Sequence, residues 1–580
     1  MLSLLALEEA PIPGFPSVPG GLAATQGLIQ VLGDAGVDAP LWVVTQGAVA
    51  TGAGESVHSP VQAQVWGLGR VAALEFPDRW GGLIDVPLEP ADRVVARLGA
   101  VLAGCGEDQV AIRNSGILAR RLVQGGRPGA GRPWAPGGAV LVTGGTGAIG
   151  GRVARWVSGR GARRVVLSSR SGPAAAGVAA LAAELAAAGT RTEVIACDTA
   201  ERAQVAGLLA WIGAGDVPLS AVFHAAGAEQ GGALQAAGAR ELEAMLAPKA
   251  AGAAYLDELT AGLDLDAFVL FSSIAAIWGS GHQSAYAAAN AYLDGLAENR
   301  QGRGLAATSV AWGLWGGGGM GARAGGDART AMERMGIRTM DPDRAIAALA
   351  ATLDGGERSV TVADIDWERF VPVFNLRRSS PLLGDLPEVR RVLSEAAAGE
   401  DEVPGAARGP LIERLTAVSP GEQDRILTDL VRAEVATVLG HESPDSIGAR
   451  QAFQDLGFDS LTAVELRNRL STATGQRLPA TLIFDYPTPE GLARYLKSEL
   501  LPSIGESGTE NTEEAEVRKI LSSVPLSLLR SAGLLESILE LAKVPEDAPE
   551  PDEESVSIED MDVADLIRIA RDRAGSEDLL

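Results

Sequence analysis

Four polar residues of the middle of the chain could do chemistry together. Ser273 closes the apolar run Phe268-Val269-Leu270-Phe271-Ser272. Thirteen residues later comes Tyr286, followed by Ala287-Ala288-Ala289-Asn290. Tyr286 and Asn290 are four apart and share one face of a helix. A tyrosine hydroxyl can protonate a forming alkoxide when a nearby cation favours the phenolate. Lys249, after Leu246-Ala247-Pro248, is the natural cation, although alone it could equally be a solvated helix residue. Ser273 would then donate a hydrogen bond to a substrate carbonyl. Such a set reduces a ketone once a hydride donor lies beside it.

The elements that must position a hydride donor lie upstream. Ala139 to Arg152 reads A-V-L-V-T-G-G-T-G-A-I-G-G-R. Val140 to Thr143 is a short buried strand, Gly144, Gly147 and Gly150 are spaced by three, and Val153, Trp156 and Val157 recur at helical spacing. A strand, a glycine turn and a helix make a dinucleotide site: the backbone can approach a pyrophosphate, and the helix N-terminus offers it free N–H groups. Val165-Val166-Leu167 is a second strand ending in Ser168-Ser169-Arg170. An acid at that point would hold a free ribose 2′-hydroxyl, whereas an Arg accommodates a 2′-phosphate, so Ser169 and Arg170 argue for NADPH over NADH. A third strand, Val194 to Cys197, ends in Asp198, an adenine contact. A fourth, Ala221 to His224, ends in Ala225-Ala226-Gly227, small enough for backbone to pass close to a cofactor. Strand and helix alternate throughout, which predicts a parallel, doubly wound α/β sheet.

Composition sets bounds on partners. The chain has 580 residues, enough for several domains, and two cysteines, too few for a disulfide framework. Its four histidines and two cysteines form no metal cluster, and no apolar run is long enough to span a membrane. The formal net charge is −25, of which residues 501–580 hold −13 from 20 acidic and 7 basic residues, which argues against nucleic acid as a partner. A cytoplasmic setting follows.

Thr143 to Gly150, Ser169-Arg170, Lys249, Ser273, Tyr286 and Asn290 together resemble the ketoreductase domain of modular type I polyketide synthases, a branch of the short-chain dehydrogenase/reductase superfamily. Most of that superfamily has Lys four residues after the Tyr; here Asn290 stands there and the Lys is upstream, a swap typical of polyketide ketoreductases. The resemblance makes Tyr286, Ser273, Lys249 and Asn290 catalytic. It assigns NADPH to Thr143, Gly144, Thr146, Gly147, Ile149, Gly150, Ser169, Arg170, Asp198, Ala225, Ala226 and Gly227. B-type enzymes carry Leu-Asp-Asp shortly after the small-residue strand end; this chain has Ala228-Glu229-Gln230-Gly231-Gly232. A-type enzymes carry a Trp eight residues before the Tyr, where Trp278 stands, and the implied product is an L (3S) hydroxyl. Trp278 could also be a core aromatic. A His three residues before the Tyr marks the subtype acting on epimerised α-substituents; Gln283 stands there, with His282 beside it, which favours an unepimerised substrate. Gly316 to Gly319, followed by Met320, is expected to be a mobile lid loop.

The remaining chain divides by pattern. Residues 1–135 are α/β without a glycine fingerprint and resemble the structural subdomain of these ketoreductases, which normally begins earlier, so Met1 lies inside a longer polypeptide or at a trimmed start. Residues 136–393 form the catalytic subdomain and 394–420 an Ala-, Glu- and Gly-rich linker with room for a short helix. Residues 421–500 form a helical bundle in which Leu456-Gly457-Phe458-Asp459-Ser460-Leu461 matches the acyl carrier protein signature closely. There a Ser at a helix N-terminus welcomes a phosphate, and the resemblance gives Ser460 a 4′-phosphopantetheine arm. After a polar linker at 501–511, residues 512–580 resemble a C-terminal docking domain. Its apolar stripes imply a homodimer and its acidic face the next synthase polypeptide, against the plain alternative of a solvated acidic tail. Two rivals stay open: a reductase-like domain that binds cofactor as scaffold or epimerase, and a binding and assembly module.

Overall fold

The structure is a computed structural model, which describes residues 1–501 apart from short stretches, the longest at 127–132, 319–325 and 400–407. The expected docking domain at 512–580, the linker before it, residues 229–231 and residues 319–320 of the glycine run lie outside the described residues.

The first unit is a five-stranded sheet in chain order: β1 (Leu2–Ser3), β2 (Leu41–Gln46), β3 (Trp80–Val86), β4 (Gln109–Arg113) and β5 (Gly116–Ala119). The first four are parallel, and β4–β5 is an antiparallel hairpin. Helices α1 (Gly20–Asp34), α2 (Pro60–Glu75) and α3 (Asp92–Leu102) connect them.

The second unit supplies β6 (Ala139–Thr143), α4 (Ala148–Gly159), β7 (Arg164–Ser169), α5 (Val178–Ala187), β8 (Arg191–Ala196), α6 (Arg202–Gly213) and β9 (Leu219–His224). It continues with α7 (Ala239–Leu246), α8 (Gly252–Thr260), β10 (Ala267–Ser273), α9 (Ile274–Trp278), α10 (Ser284–Gly302), β11 (Thr308–Trp312), α11 (Gly326–Arg334), α12 (Pro342–Asp354) and β12 (Ser359–Val362). Its seven strands are all parallel, in the order β8-β7-β6-β9-β10-β11-β12. The doubly wound prediction holds. Leu141, Val166, Val222 and Phe268 pack into the core on one face, Val140, Val165, Ala221 and Val269 into that on the other, as the period of two along a strand requires.

The two units meet along α2 and α10. At their closest approach a Cβ on Gly67 would lie 2.3 Å from the Ala287 carbonyl oxygen. Helices α13 (Trp367–Phe374) and α14 (Pro387–Gly399) follow, then a helical bundle of α15 (Arg408–Thr416), α16 (Pro420–Leu439), α17 (Ser460–Thr474), α18 (Leu482–Asp485) and α19 (Pro489–Leu500). Leu427, Val431, Val435, Leu466 and Leu470 form its core. Within the stretch 394–420, expected as a linker with room for a short helix, α14 runs to Gly399 and α15 places a fully buried Leu415 in the bundle core. Alanine-rich sequence favours helix as readily as linker, and only tertiary contact decides. Among the described residues no helix is long and apolar enough to cross a membrane, and no metal-binding group of side chains occurs.

Candidate active site

Strand order reverses between β6 and β9, and a ligand crevice opens at the carboxyl ends of strands at such a point. The glycine turn lies there. Gly144 has φ +67°, and a Cβ on it would sit 2.8 Å from the Ala225 carbonyl oxygen. A Cβ on Gly150 would sit 2.3 Å from the Gly144 carbonyl oxygen. Any side chain at either position would fill the cradle. Helix α4 begins after Gly147, whose lack of a side chain leaves the first N–H groups uncapped. Thr146 Oγ1 donates to Ser169 Oγ (2.8 Å), tying the turn to the end of β7, where Arg170 is exposed. Asp198 caps the turn after β8 by accepting from the Ala200 N–H (3.1 Å). This donor set fits a dinucleotide with a 2′-phosphate.

Lys249 is 4% exposed, and its placement depends on an unusual local fold. Residues Ala247–Ala251, with Pro248 at the start, form one π-turn between α7 and α8. Such turns shift the register of a helix face and recur at functional sites. Nζ donates to the Phe271 carbonyl (2.9 Å) and lies 5.7 Å from the Tyr286 ring centroid. Burial pushes the ammonium down to about 8, partly offset by the Asp294 carboxylate.

Ser273 ends β10 and caps α9 by accepting from the Ala275 N–H (3.2 Å). Its own hydroxyl proton is unused by that bond. Asn290 is fully buried: Nδ2 donates to the Tyr286 carbonyl (2.8 Å), and Oδ1 has no protein partner. Ser273, Tyr286 and Lys249 line one cavity of about 210 Å³, together with Trp278 and Gln283. Trp278 is both cavity wall and core aromatic, 4% exposed and 5.5 Å from Phe370 between ring centroids. Gly318 and α11 residues Arg329 and Met332 close the far side. Gly316 is held by a hydrogen bond to the Met340 carbonyl (2.9 Å), so the glycine run is anchored at its start. Ser460 opens α17.

Sequence reasoning missed several contributors. His224 Nε2 lies 2.9 Å from the Lys249 carbonyl oxygen, and Nδ1 lies 2.8 Å from Thr143 Oγ1. A carbonyl only accepts, so Nε2 carries the proton, and Thr143 donates to Nδ1. Burial pushes the ring down to about 4 and keeps it neutral. His224 thus couples the glycine-turn strand to the lysine turn. Asp294, on α10 one turn past Asn290, accepts from Ser309 (2.6 Å), and burial pushes its carboxyl up. From the first unit, Arg70 donates to the Ala276 carbonyl and Arg120 to the Ile277 carbonyl (2.7 Å), holding the end of the helix that carries Trp278. A His at the tip of a buried strand and an acid spaced four from Asn290 were the available signals for the first two.

A glycine-lined dinucleotide crevice with a serine, tyrosine and lysine at its mouth defines a hydride-transferring enzyme of the short-chain dehydrogenase/reductase class. The family models agree in detail. Residues 138–317 match the KR domain, 19–122 the Rossmann fold domain of the polyketide synthase extender module SpnB, and 429–496 the phosphopantetheine attachment site. The chain is 47% identical over 564 residues to pikromycin polyketide synthase component PikAIII of Streptomyces venezuelae, covering 93% of this chain and 35% of that protein. It is 46% identical over 511 residues to erythronolide synthase EryA3 of Saccharopolyspora erythraea, covering 88% and 15% respectively. It thus spans about a third or less of these relatives. A solved A1-type ketoreductase aligns with TM-score 0.66 and 49% identity over 68% of this chain and 83% of that one. A C2-type ketoreductase from a modular polyketide synthase aligns at 0.63 and 45% over 67% and 82%.

The chain belongs to the modular polyketide synthases: its core is a ketoreductase, a β-ketoacyl reductase using NADPH, and its helical bundle is a carrier domain for 4′-phosphopantetheine.

Proposed function

We propose that this chain reduces the β-keto group of a polyketide intermediate held on Ser460 to an L (3S) hydroxyl, with an unepimerised α-substituent. The observation that carries the reading is the convergence of Ser273, Tyr286 and Lys249 on one cavity at the mouth of the glycine crevice. NADPH supplies the hydride when bound, held by the turn from Thr143 to Gly150, by Ser169 and Arg170, and by the small residues Ala225 to Gly227. Ser273 donates a hydrogen bond to the ketone oxygen and fixes its direction. Tyr286 donates the proton that neutralises the developing alkoxide. The Lys249 ammonium stabilises the phenolate left behind, and Asn290 Oδ1, a buried acceptor, orders the water that returns the proton. Trp278 and Gln283 set which face of the ketone is presented.

Residues 1–135 brace this unit, 136–393 carry the chemistry, and 421–500 deliver the substrate. Residues 512–580 dock the next synthase polypeptide as part of a cytoplasmic homodimer, supported by their acidic charge and apolar stripes.

The test is incubation with NADPH and a racemic 2-methyl-3-ketoacyl thioester, with products resolved by chiral chromatography. One 3S product with unepimerised methyl is expected. A 3R product overturns the stereochemical assignment, and bound NADPH with no product overturns the reductase reading. Mass spectrometry after treatment with a phosphopantetheinyl transferase should add one arm to the chain and none to Ser460→Ala.

A further inference from the structure

Helix α2 ends at Glu75, and an acid there needs a reason. The last turn of a helix exposes carbonyl oxygens that repel a carboxylate. Glu75 is half-buried and reaches across to the second unit instead. Its Oε1 accepts from the His282 N–H (2.8 Å) and its Oε2 from the Leu234 N–H (2.9 Å). One carboxylate thereby holds two backbone amides that lie 207 and 159 residues away.

The His282 segment runs into Gln283, which lines the cavity, and the Leu234 segment lies beside it. Leu234 follows the stretch that leaves the end of β9. His282 lies between α9, which carries Trp278, and α10, which carries Tyr286. The segments also grip each other, since the Gly232 N–H donates to the His282 carbonyl (2.8 Å) and Gly232 pairs with Gln283 as an isolated bridge. His282 has φ +63° and is the only non-glycine with positive φ among the described residues. Such a conformation persists where the surroundings over-determine it. Gln283 comes next and lines the cavity, and its carbonyl accepts from the Ala287 N–H (2.8 Å) in the first turn of α10.

We propose that Glu75 is a positioning residue for substrate specificity. It fixes the two segments in one register and thereby sets where Gln283 stands relative to Tyr286, and so which α-configuration and which ketone face are accepted. This rests on the ketoreductase reading above. Glu75 does not line the cavity and touches no reacting atom. Its side-chain chemistry suits a clamp, because an ionised carboxylate is acceptor-only and can serve two donors. A glutamine there would turn an NH₂ group towards one of the amides, and an aspartate is one carbon too short to reach both.

The test uses the full chain with NADPH and the racemic 2-methyl-3-ketoacyl thioester. For Glu75→Gln the minor diastereomer should rise about tenfold and KM about fivefold, while kcat falls by less than about threefold. Hydrogen exchange at the His282 and Leu234 amides should accelerate in parallel. Glu75→Asp, which keeps the charge and reaches one amide, should fall between, and it carries the same test if the Gln variant does not accumulate folded. Faster exchange at both amides with an unchanged diastereomer ratio and KM would overturn the proposal and leave Glu75 a plain brace. Unchanged exchange would overturn it too, by showing that the clamp does not hold these segments. If the unsubstituted chain itself yields no product, the ketoreductase reading fails instead, and the exchange rates still report on the clamp.

Discussion

Two Rossmann-like units lie side by side in this chain, and their strand ends have opposite fates. In the catalytic unit, helix α4 starts after an uncapped glycine, and the crevice above β6 and β9 is walled by backbone. In the structural unit, the N-terminus of α2 is already occupied. Ser59 accepts from the Gln62 N–H (3.1 Å), and Glu9 accepts from both Ser59 (2.6 Å) and Gln62 (2.7 Å). An internal carboxylate thus lies at the start of that helix. The neighbouring strand ends are filled as well. Asp85, fully buried, accepts from Thr45 and the Ala48 N–H (both 2.8 Å) and pairs with Arg113 (2.8 Å), which also reaches Glu55. Burial pushes the Asp85 carboxyl up to about 6 despite these partners. The fold alone therefore does not make a cofactor site: the structural sheet runs in chain order with no reversal, and its strand ends are filled by the chain's own polar groups.

The comparison breaks most completely if the open unit is closed. Gly150→Val would drive a side chain into the Gly144 carbonyl oxygen, 2.3 Å from the ideal Cβ. Loss of measurable NADPH binding is expected in a fluorescence titration, with the carrier domain still accepting its arm. Tyr286→Phe leaves the crevice open but removes the proton donor. Reduction should fall by about 10³-fold, as for other general acids, with NADPH affinity within about twofold of the original. Retained reduction would remove Tyr286 from its proposed role.

Lys249 sharpens the comparison, because the catalytic unit keeps a buried cation with no carboxylate in contact among the described residues, whereas Arg113 in the structural unit is paired with Asp85. Its ammonium is pushed from 10.5 to about 8 by burial. A folded pKa below the unfolded one means that stability rises as pH climbs from about 8 towards 10.5, and that the charged form strains the fold below about 8. Replacing it with an apolar chain of similar length should relieve that strain. Lys249→Met is expected to raise the unfolding free energy at pH 7 by about 1–2 kcal/mol, the relief of desolvation less the lost bond to Phe271. It should lower the reduction rate by about 10²-fold. In the unsubstituted chain, the rate should decline as pH rises through about 8, where the ammonium loses its proton. A profile flat to pH 10, or a destabilised Met variant, would contradict this account.

Much of this arrangement is legible in the chain, and the boundary of legibility is physical. The glycine turn, Ser169-Arg170 and the spacing from Ser273 to Tyr286 to Asn290 are local patterns, and local patterns report local geometry. Lys249 stands out in the sequence only by its company, because the π-turn that aims it has no spacing signal. The contacts of Glu75, Arg70 and Arg120 with the catalytic unit escaped altogether. They join residues more than 150 positions apart, and each looks like an ordinary charged residue of a helix or strand. The same limit explains α15: its Leu415 becomes a core residue only in the bundle built by the helices that follow it in the chain.

The smallest expected effect is the most pointed. Ser59→Ala uncaps α2 and partly reopens the closed unit, bringing its helix start closer to that of α4. If an open helix N-terminus were sufficient for a cofactor site, the variant would gain affinity for NADPH or for free pyrophosphate. The geometry argues otherwise: Glu9 still bonds Gln62, the Asp85–Arg113 pair still fills the strand ends, and Pro60 rather than open backbone begins the helix. The variant should therefore lose only about 1 kcal/mol of stability, the usual worth of an N-cap serine, seen as a small shift in the denaturation midpoint. A calorimetric titration should show one NADPH per chain in both proteins. A second binding event would mean that the cap, rather than the filled cleft, is what silences the structural unit.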